Sequence, residues 1–373
     1  MARDTDAYPQ SLAGDAPRAE TPIRQAIAYG IQAPNPHNTQ AWKFELTSDT
    51  EALLYIDERR LLPVTDPPAR QIHIGAGCCI ETLAVGMSGH GYRTDVEYLP
   101  QGAHGFDAIG RKPVARITLH KAATTRRDEL ADFIRRRQTN RKPYTGPLLT
   151  GQEADQLRGQ ATSHEVEVLT LNQLDEMRPL LDIFYRAMET EATTPRTWEE
   201  SRIWFRYNER QRRAQRDGLS TAQAGIDGIP RRLAEWYLRD GDPTRWFSKR
   251  STNSFLKSFR EGVDSAKGVL LLKTQTNRQQ DWLEVGRAFA RVHLTLTQLG
   301  MTCHHCNQVL QEYPEMAEQQ AEFNQLLGVQ PPEKVQIAIR VGRAEQAYVA
   351  LRRDPQQFLL DGSRPAPSAT PTT

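Results

Sequence analysis

Two apolar stripes of identical spacing set the architecture open to this chain. Ile72, Ala76, Cys79, Leu83 and Gly86 fall at 4-3-4-3 intervals, and Val285, Phe289, Val292, Leu296 and Leu299 repeat that rhythm. Such intervals return to one side of a helix, so each stretch predicts a helix with a buried face, at 69–89 and 279–300. The first runs into the Gly89-His-Gly91 breaker, the second into Gly300. Each is followed by a β-branched run, Val114 to Leu119 and Val335 to Val341, of the kind that forms strands. The pattern reads as a duplication, an α+β chain of two related halves. At 373 residues there is enough chain to bury a core in each.

Around these helices the remaining elements fall into order. Thr21 followed by Pro22 predicts a helix start, and Pro34 and Pro36 stop that helix near Ala33. Trp42 to Leu46 and Ala52 to Asp57 predict strands about the 47–50 turn. Further on, Asp128 to Gln138 predicts helix, Glu165 to Leu171 strand, Leu174 to Glu189 helix, and Gly268 to Lys273 a buried strand. The expected division is a first half at 21–125 and a second at 126–360, with disordered tails at 1–20 and 361–373. Residues 196 to about 250 have no counterpart in the first half. They hold four of the six tryptophans (Trp198, Trp204, Trp236, Trp246) and predict an inserted helical lid.

Charge and cysteine usage exclude several classes of protein. With 48 Lys+Arg against 46 Asp+Glu the net charge is +2, which gives no general attraction to nucleic acid or membrane. Arg202, Arg206, Arg210 and Arg213 near one helical face suggest a nucleic-acid footprint, but Glu199, Glu200 and Glu209 alternate with them and favour a solvated face. There is no long apolar run or leader-like segment, and the expected location is cytoplasmic. Four cysteines are too few for a disulfide scaffold. Cys303-His-His-Cys306 has the spacing of a redox dithiol or half a zinc site. No second pair with metal spacing exists, so no metal is expected. Gly75-Ala-Gly77 lies inside a predicted helix, which excludes a dinucleotide-binding turn.

Two polar stretches carry the chemistry. Ala33-Pro-Asn-Pro-His-Asn-Thr-Gln-Ala-Trp42 is a proline-stiffened loop entering a strand, in which Asn35, Asn38, Thr39 and Gln40 offer both donors and acceptors. That suits the edge of a planar heterocycle such as a flavin or pterin, although a helix stop with an Asx turn would need the same residues. In Arg135-Arg-Arg-Gln-Thr-Asn-Arg-Lys142, an extended backbone would point Arg137, Thr139 and Arg141 the same way, a geometry suited to phosphate oxygens. A basic helix C-terminus explains the same run. Arg352-Arg353 could close on the same anion.

Taken together, the two stretches resemble the nitroreductase family of FMN enzymes. That family's Arg-x-Ser-x-Arg reads here as Arg137-Gln-Thr-Asn-Arg141, and its Pro-Ser-x-x-Asn-x-Gln-Pro-Trp reads as Pro34-Asn-Pro-His-Asn38-Thr-Gln40-Ala-Trp42. The paired helices and the ending Ile339-Arg-Val-Gly-Arg343 are also similar. The fused halves and the Arg-Asp-Gly-Leu-Ser run at 216–220 look like the Acg branch, in which one chain mimics a nitroreductase dimer and a lid covers the flavin. Departures are conservative in polarity: Asn35 and Thr139 stand for serines, Ala41 for a proline.

The resemblance implies a nitroreductase-like fold, one polypeptide as a monomeric pseudo-dimer. Since each half holds only one of the two motifs, it implies one FMN. Arg137, Arg352 and Arg353 would grip its phosphate. Arg141 would sit near the pyrimidine edge, where a cation stabilises the reduced ring, and Asn35, Asn38, Thr39 and Gln40 would pair with the ring. His37 is a candidate proton donor. The implied activity is two-electron transfer through flavin N5 to or from a small-molecule substrate, with NAD(P)H as a candidate donor. The alternative is an FMN-sequestering protein with little turnover.

Overall fold

The computed structural model describes residues 19–161 and 163–360, so the expected tails fall almost wholly outside the described residues. Its strands are β1 (Trp42–Leu46), β2 (Glu51–Ile56), β3 (Tyr92–Tyr98), β4 (Ala115–Lys121), β5 (Val166–Leu171), β6 (Gly268–Thr274), β7 (Thr302–His305) and β8 (Lys334–Gly342). They form two antiparallel sheets, ordered β1-β2-β4-β3 and β5-β6-β8-β7. The second order is the first shifted by one complete set of strands, which is the predicted duplication in three dimensions.

The helices are α1 (Pro22–Gly30), α2 (Arg70–Ser88), α3 (Gly151–Arg158), α4 (Leu174–Thr193), α5 (Pro195–Ile203), α6 (Glu209–Gln215), α7 (Gly228–Tyr237), α8 (Pro243–Trp246), α9 (Lys249–Asp264), α10 (Gln279–Gln298) and α11 (Ala317–Leu327). α2 and α10 are the two striped helices of the sequence. They cross at glycine: a Cβ on Gly77 would lie 2.0 Å from Leu283 O, and one on Gly286 would lie 2.0 Å from Ile74 O. Leu283 stands to Gly286 as Ile74 does to Gly77, so the contact is reciprocal and defines a pseudo-twofold. Only residues without side chains permit this approach. α2 is buried nearly all round, and Asp66 caps its start by accepting from Gln71 N and Ile72 N, each at 3.0 Å.

One apolar core contains α2, α10 and the first sheet, and takes Leu270, Leu272, Ile337 and Ile339 from the second sheet. The other contains α4, α9 and the opposite faces of the same strands, with Val269, Leu271, Val335 and Ala338. β6 and β8 are therefore covered on both faces, which explains why Gly268 to Lys273 reads as a continuous apolar run.

Two expectations are corrected by tertiary structure. The helix predicted at 128–138 is a short 3₁₀ segment, Glu129–Phe133. Beyond it the chain extends to pair with β7: Asn140 N donates to Cys303 O at 3.0 Å, and Thr302 Oγ1 to Gln138 O at 2.9 Å. Arg202 to Arg213 do not share one helix, because α5 ends at Ile203 and α6 starts at Glu209. Arg206 and Arg212 are buried in ion pairs with Asp217 and Glu235. The 196–250 segment is helical, but Trp198, Tyr207 and Trp246 belong to the second core. Among its helices with more than one turn, only α7 has no buried residue.

Candidate functional site

A cavity of about 820 Å³ is bordered by both halves. The first half supplies Pro34 to Asn38 and the α2 residues Ile74, Gly75 and Cys78; the second supplies Arg137 to Thr139, Arg141, His304, His305 and Arg340. Arg352 comes from the C-terminal segment, Trp198, Phe205 and Trp236 come from the helical insertion, and Phe255 comes from α9. At Gly75 a Cβ would be 3.3 Å from Pro36 Cδ, so the loop lies directly on α2.

The 35–40 loop is held in an unusual backbone. His37, Asn38 and Gln40 have φ of 46°, 54° and 52°, three of the six non-glycine residues with positive φ among the described residues. Each such residue costs of order 1–3 kcal/mol and persists only where surroundings enforce it. The enforcement is visible. Asn35 Oδ1 accepts from Gln40 N at 2.8 Å, and Arg352 Nη1 donates to Asn38 Oδ1 at 2.8 Å. Asn38 Nδ2 reaches Gly218 O and Leu351 O, both at 3.3 Å, so one side chain ties the loop to the insertion and to the C-terminal segment.

Of the predicted site residues, Asn35, His37, Asn38, Arg137, Thr139, Arg141 and Arg352 border the cavity. Thr39, Gln40 and Arg353 do not, and this corrects their expected placement. The reversal at 37–40 turns Gln40 away, where Nε2 donates to Arg216 O at 2.8 Å and Oε1 accepts from Arg353 N at 2.9 Å. Arg353 Nη2 donates back to Gln40 O at 2.6 Å, and its guanidinium lies 4.3 Å over the Phe358 ring. Thr39 is fully buried, and its carbonyl accepts from Arg60. These three brace the loop.

Four guanidiniums dominate the electrostatics. Arg137 reaches only Gln32 O (3.2 Å) and His293 Nδ1 (3.4 Å). Arg352 donates to the end of α1, to Ile31 O at 2.7 Å and Ala33 O at 3.1 Å. Arg141 donates to Gln223 O at 3.1 Å. Arg340, 1% exposed, donates through Nη2 to Arg141 O, yet its Nε and Nη1 have no partner among the described residues. Burial pulls Arg137 and Arg141 down to about 10. Burial and the neighbouring Arg137 pull Arg352 to about 9. Among the described residues none of the four has a carboxylate within 4.0 Å. A buried charge left without a counter-ion is costly, and an anion placed against this wall would offset that cost.

Burial favours the neutral form of the cavity histidines. Burial, then Arg141, lowers His37 to about 4, and burial with Arg141 and Arg137 lowers His305 to about 3. His37 therefore does not itself store a proton. Cys303-His-His-Cys306 is the strand β7, which ends at His305, with the second cysteine just beyond it. Cys303 enters the first core and Cys306 the second, so they face different interiors. Burial pushes both thiols up to about 12. Among the described residues no group of His, Cys, Asp or Glu is arranged to hold a metal ion, and no helix is long and apolar enough to cross a membrane. Sequence reasoning missed Arg340, whose signal was a lone arginine inside the apolar strand Val335 to Val341.

No known family profile matches the chain. Two proteins of Mycobacterium tuberculosis, both named as NAD(P)H nitroreductases, are similar to it over most of their length. Rv3131 is 24% identical over 291 residues, 77% of this chain and 76% of that protein. The protein acg is 25% identical over 287 residues, 75% and 78%. A nitroreductase from Bacteroides fragilis solved with bound FMN aligns at a TM-score of 0.32 and 14% identity, covering 66% of this chain and 98% of that one. By these relatives the chain is similar to the nitroreductases, an oxidoreductase class, and to the protein acg among them; its two four-stranded sheets of matching strand order lie in one polypeptide.

Proposed function

We propose that the protein is an FMN-dependent oxidoreductase that binds one FMN in this cavity and exchanges two electrons with a small organic substrate. The observation that carries the reading is the set of four cavity guanidiniums without a carboxylate. Arg137 and Arg352, close enough that Arg137 depresses Arg352, would hold the phosphate. Arg141 and the unpartnered edge of Arg340 would face the dione edge of the ring, beside Asn35. A volume of about 820 Å³ accommodates a flavin together with a small substrate. When bound, FMN supplies hydride transfer at N5. This chain's residues bind it, orient it, and through Trp198, Phe205 and Phe255 exclude water.

The pseudo-twofold supports a single cofactor. Where Gly75 and Cys78 border the cavity, the related positions on α10 are Glu284 and Arg287. Arg287 Nε pairs with Glu81 at 2.7 Å and its Nη1 with Tyr98 Oη at 2.9 Å, while Glu284 accepts from Ser163 at 2.8 Å. Side chains fill the second place. The protein would work as a monomer, with NAD(P)H as reductant.

Purified protein tests the reading directly. A yellow protein with one flavin per chain, bleached by NADPH under anaerobic conditions, is expected. Colour without bleaching favours FMN sequestration, and a colourless protein that takes up no FMN refutes the cofactor.

A further inference from the structure

Another wall of the cavity is acidic and has no arginine. Glu191 at the end of α4, 3% exposed, borders the cavity with Ser201, Gln308 and Gln311. Its Oε2 accepts from Gln311 Nε2 at 2.7 Å, and the Gln308 amide and the Ser201 hydroxyl lie close enough to act on the carboxylate. With the Gln311 amide nitrogen turned to the carboxylate, Gln311 Oε1 and the neighbouring Gln308 Oε1 are left buried without a donor among the described residues. Each such acceptor costs about 1–3 kcal/mol. The wall is short of donor hydrogens, and a protonated Glu191 supplies one, because either amide can turn its oxygen to accept the acid O–H.

The neighbours favour that proton. Glu200 lies beside Glu191, with its oxygens fixed by Val64 N and Thr65 N at 2.9 Å and by Thr65 Oγ1 at 2.6 Å. Burial, aided by the Glu200 charge, pushes Glu191 up to about 7. The other groups around it are Tyr313, which it pushes up, with Arg196 and Glu315 behind Tyr313. Neither carboxylate has a Lys or Arg within 4.0 Å among the described residues.

A path leads from Glu191 to the flavin loop. Ser201 Oγ, close enough to Glu191 to act on its carboxylate, is 3.5 Å from His37 Nε2, a length of the kind that tightens once a ligand is seated. A neutral imidazole accepts at one nitrogen and donates from the other, so His37 can pass a proton that it cannot store.

We propose that Glu191 is the proton source of this cavity, delivering through Ser201 and His37 to a nitro substrate as it is reduced. The step rests on the flavin reading, since hydride comes from NAD(P)H-reduced flavin. Nitroarene, hydride and one proton give nitrosoarene and water: one N–O bond breaks, and the departing oxygen takes the hydride equivalent and the relayed proton. His37 Nδ1 gives that proton, Nε2 takes one from Ser201, Ser201 takes one from Glu191, and water restores the carboxyl.

Infrared titration of the purified protein should show a protonated-carboxyl band with a midpoint near pH 7, absent in Glu191→Gln and retained in Ser201→Ala. With nitrobenzene and NADPH, kcat should fall above that midpoint in the native protein. It should drop at least tenfold and lose its pH dependence in Glu191→Gln, and drop similarly in Ser201→Ala with KM little changed. Anaerobic bleaching by NADPH should be unaffected in both variants. A carboxyl titration that survives Glu191→Gln, or a native pH profile in that variant, overturns the proposal. A colourless native protein refutes the flavin reading instead, and the infrared titration remains interpretable on its own.

Discussion

Replacing Arg137 by methionine should move stability and cofactor affinity in opposite directions. The guanidinium has two long contacts, to Gln32 O and His293 Nδ1, and no counter-charge. Burial pulls it from the ordinary arginine range to about 10, so its charged form is disfavoured in the fold by up to about 3 kcal/mol. Because the folded value is the lower one, that cost is fully present at all pH below about 10. Methionine keeps much of the apolar stem and removes the charge. Flavin-free Arg137→Met should therefore gain roughly 1–3 kcal/mol in urea unfolding near neutral pH. A charge-assisted bond to phosphate contributes about 1.5–3 kcal/mol, so FMN should bind roughly 10- to 100-fold more weakly by fluorescence titration. A variant that is destabilised without flavin yet binds FMN normally would show Arg137 to be a structural clamp and end the phosphate assignment.

Other consequences are equally open to measurement. Gly286→Ala places a methyl 2.0 Å from Ile74 O and should cost about 3 kcal/mol in denaturant unfolding; an unchanged midpoint would contradict the glycine crossing. None of the four buried cysteines should react with an aromatic disulfide reagent before unfolding, and a rapidly modified Cys303–Cys306 pair would revive the dithiol. Glu191 is raised on folding, so it weakens the fold progressively as pH climbs from the usual carboxylate range to about 7. Glu191→Gln should thus be more stable than the native chain above that pH by roughly 1–3 kcal/mol and gain nothing in acid, and parallel urea curves at all pH would refute this. Leu233 and Trp236 on α7 are each 60% exposed beside the cavity mouth. Changing both to serine should leave stability within about 0.5 kcal/mol while speeding FMN release, and a slower release would remove α7 as a cover.

Much of the scaffold could be read from periodicity. The stripes gave α2 and α10 nearly to their ends, because a helix buried in an interior has no freedom to vary its apolar spacing. The 128–138 prediction failed for a nonlocal reason: helical propensity lost to pairing with β7, a strand more than 160 residues away. Site residues divided in the same manner. Arg137, Arg141 and Asn35 were found because a short motif fixes which way they point. Gln40 belongs to the loop motif but faces elsewhere, since three positive-φ residues reverse the loop and no residue pattern announces that reversal. Glu191 lies in no motif, and the family-like ending at 339–343 gives no sign that Arg340 faces a cavity. Each became visible only when the fold brought distant elements around one cavity.

The reciprocal meeting of Gly77 and Gly286 has an implication for how such a protein can diverge. In an assembly of two identical chains every substitution is made twice, and both clefts across the axis must accept it. Here each cleft is written in its own stretch of polypeptide, so one keeps Gly75 and Cys78 open while the other is closed with Glu284 and Arg287. Covalent linkage also makes the meeting independent of protein concentration. Asymmetry of this kind is forbidden to a strict homodimer, and a fused chain obtains it without altering the crossing that holds it together.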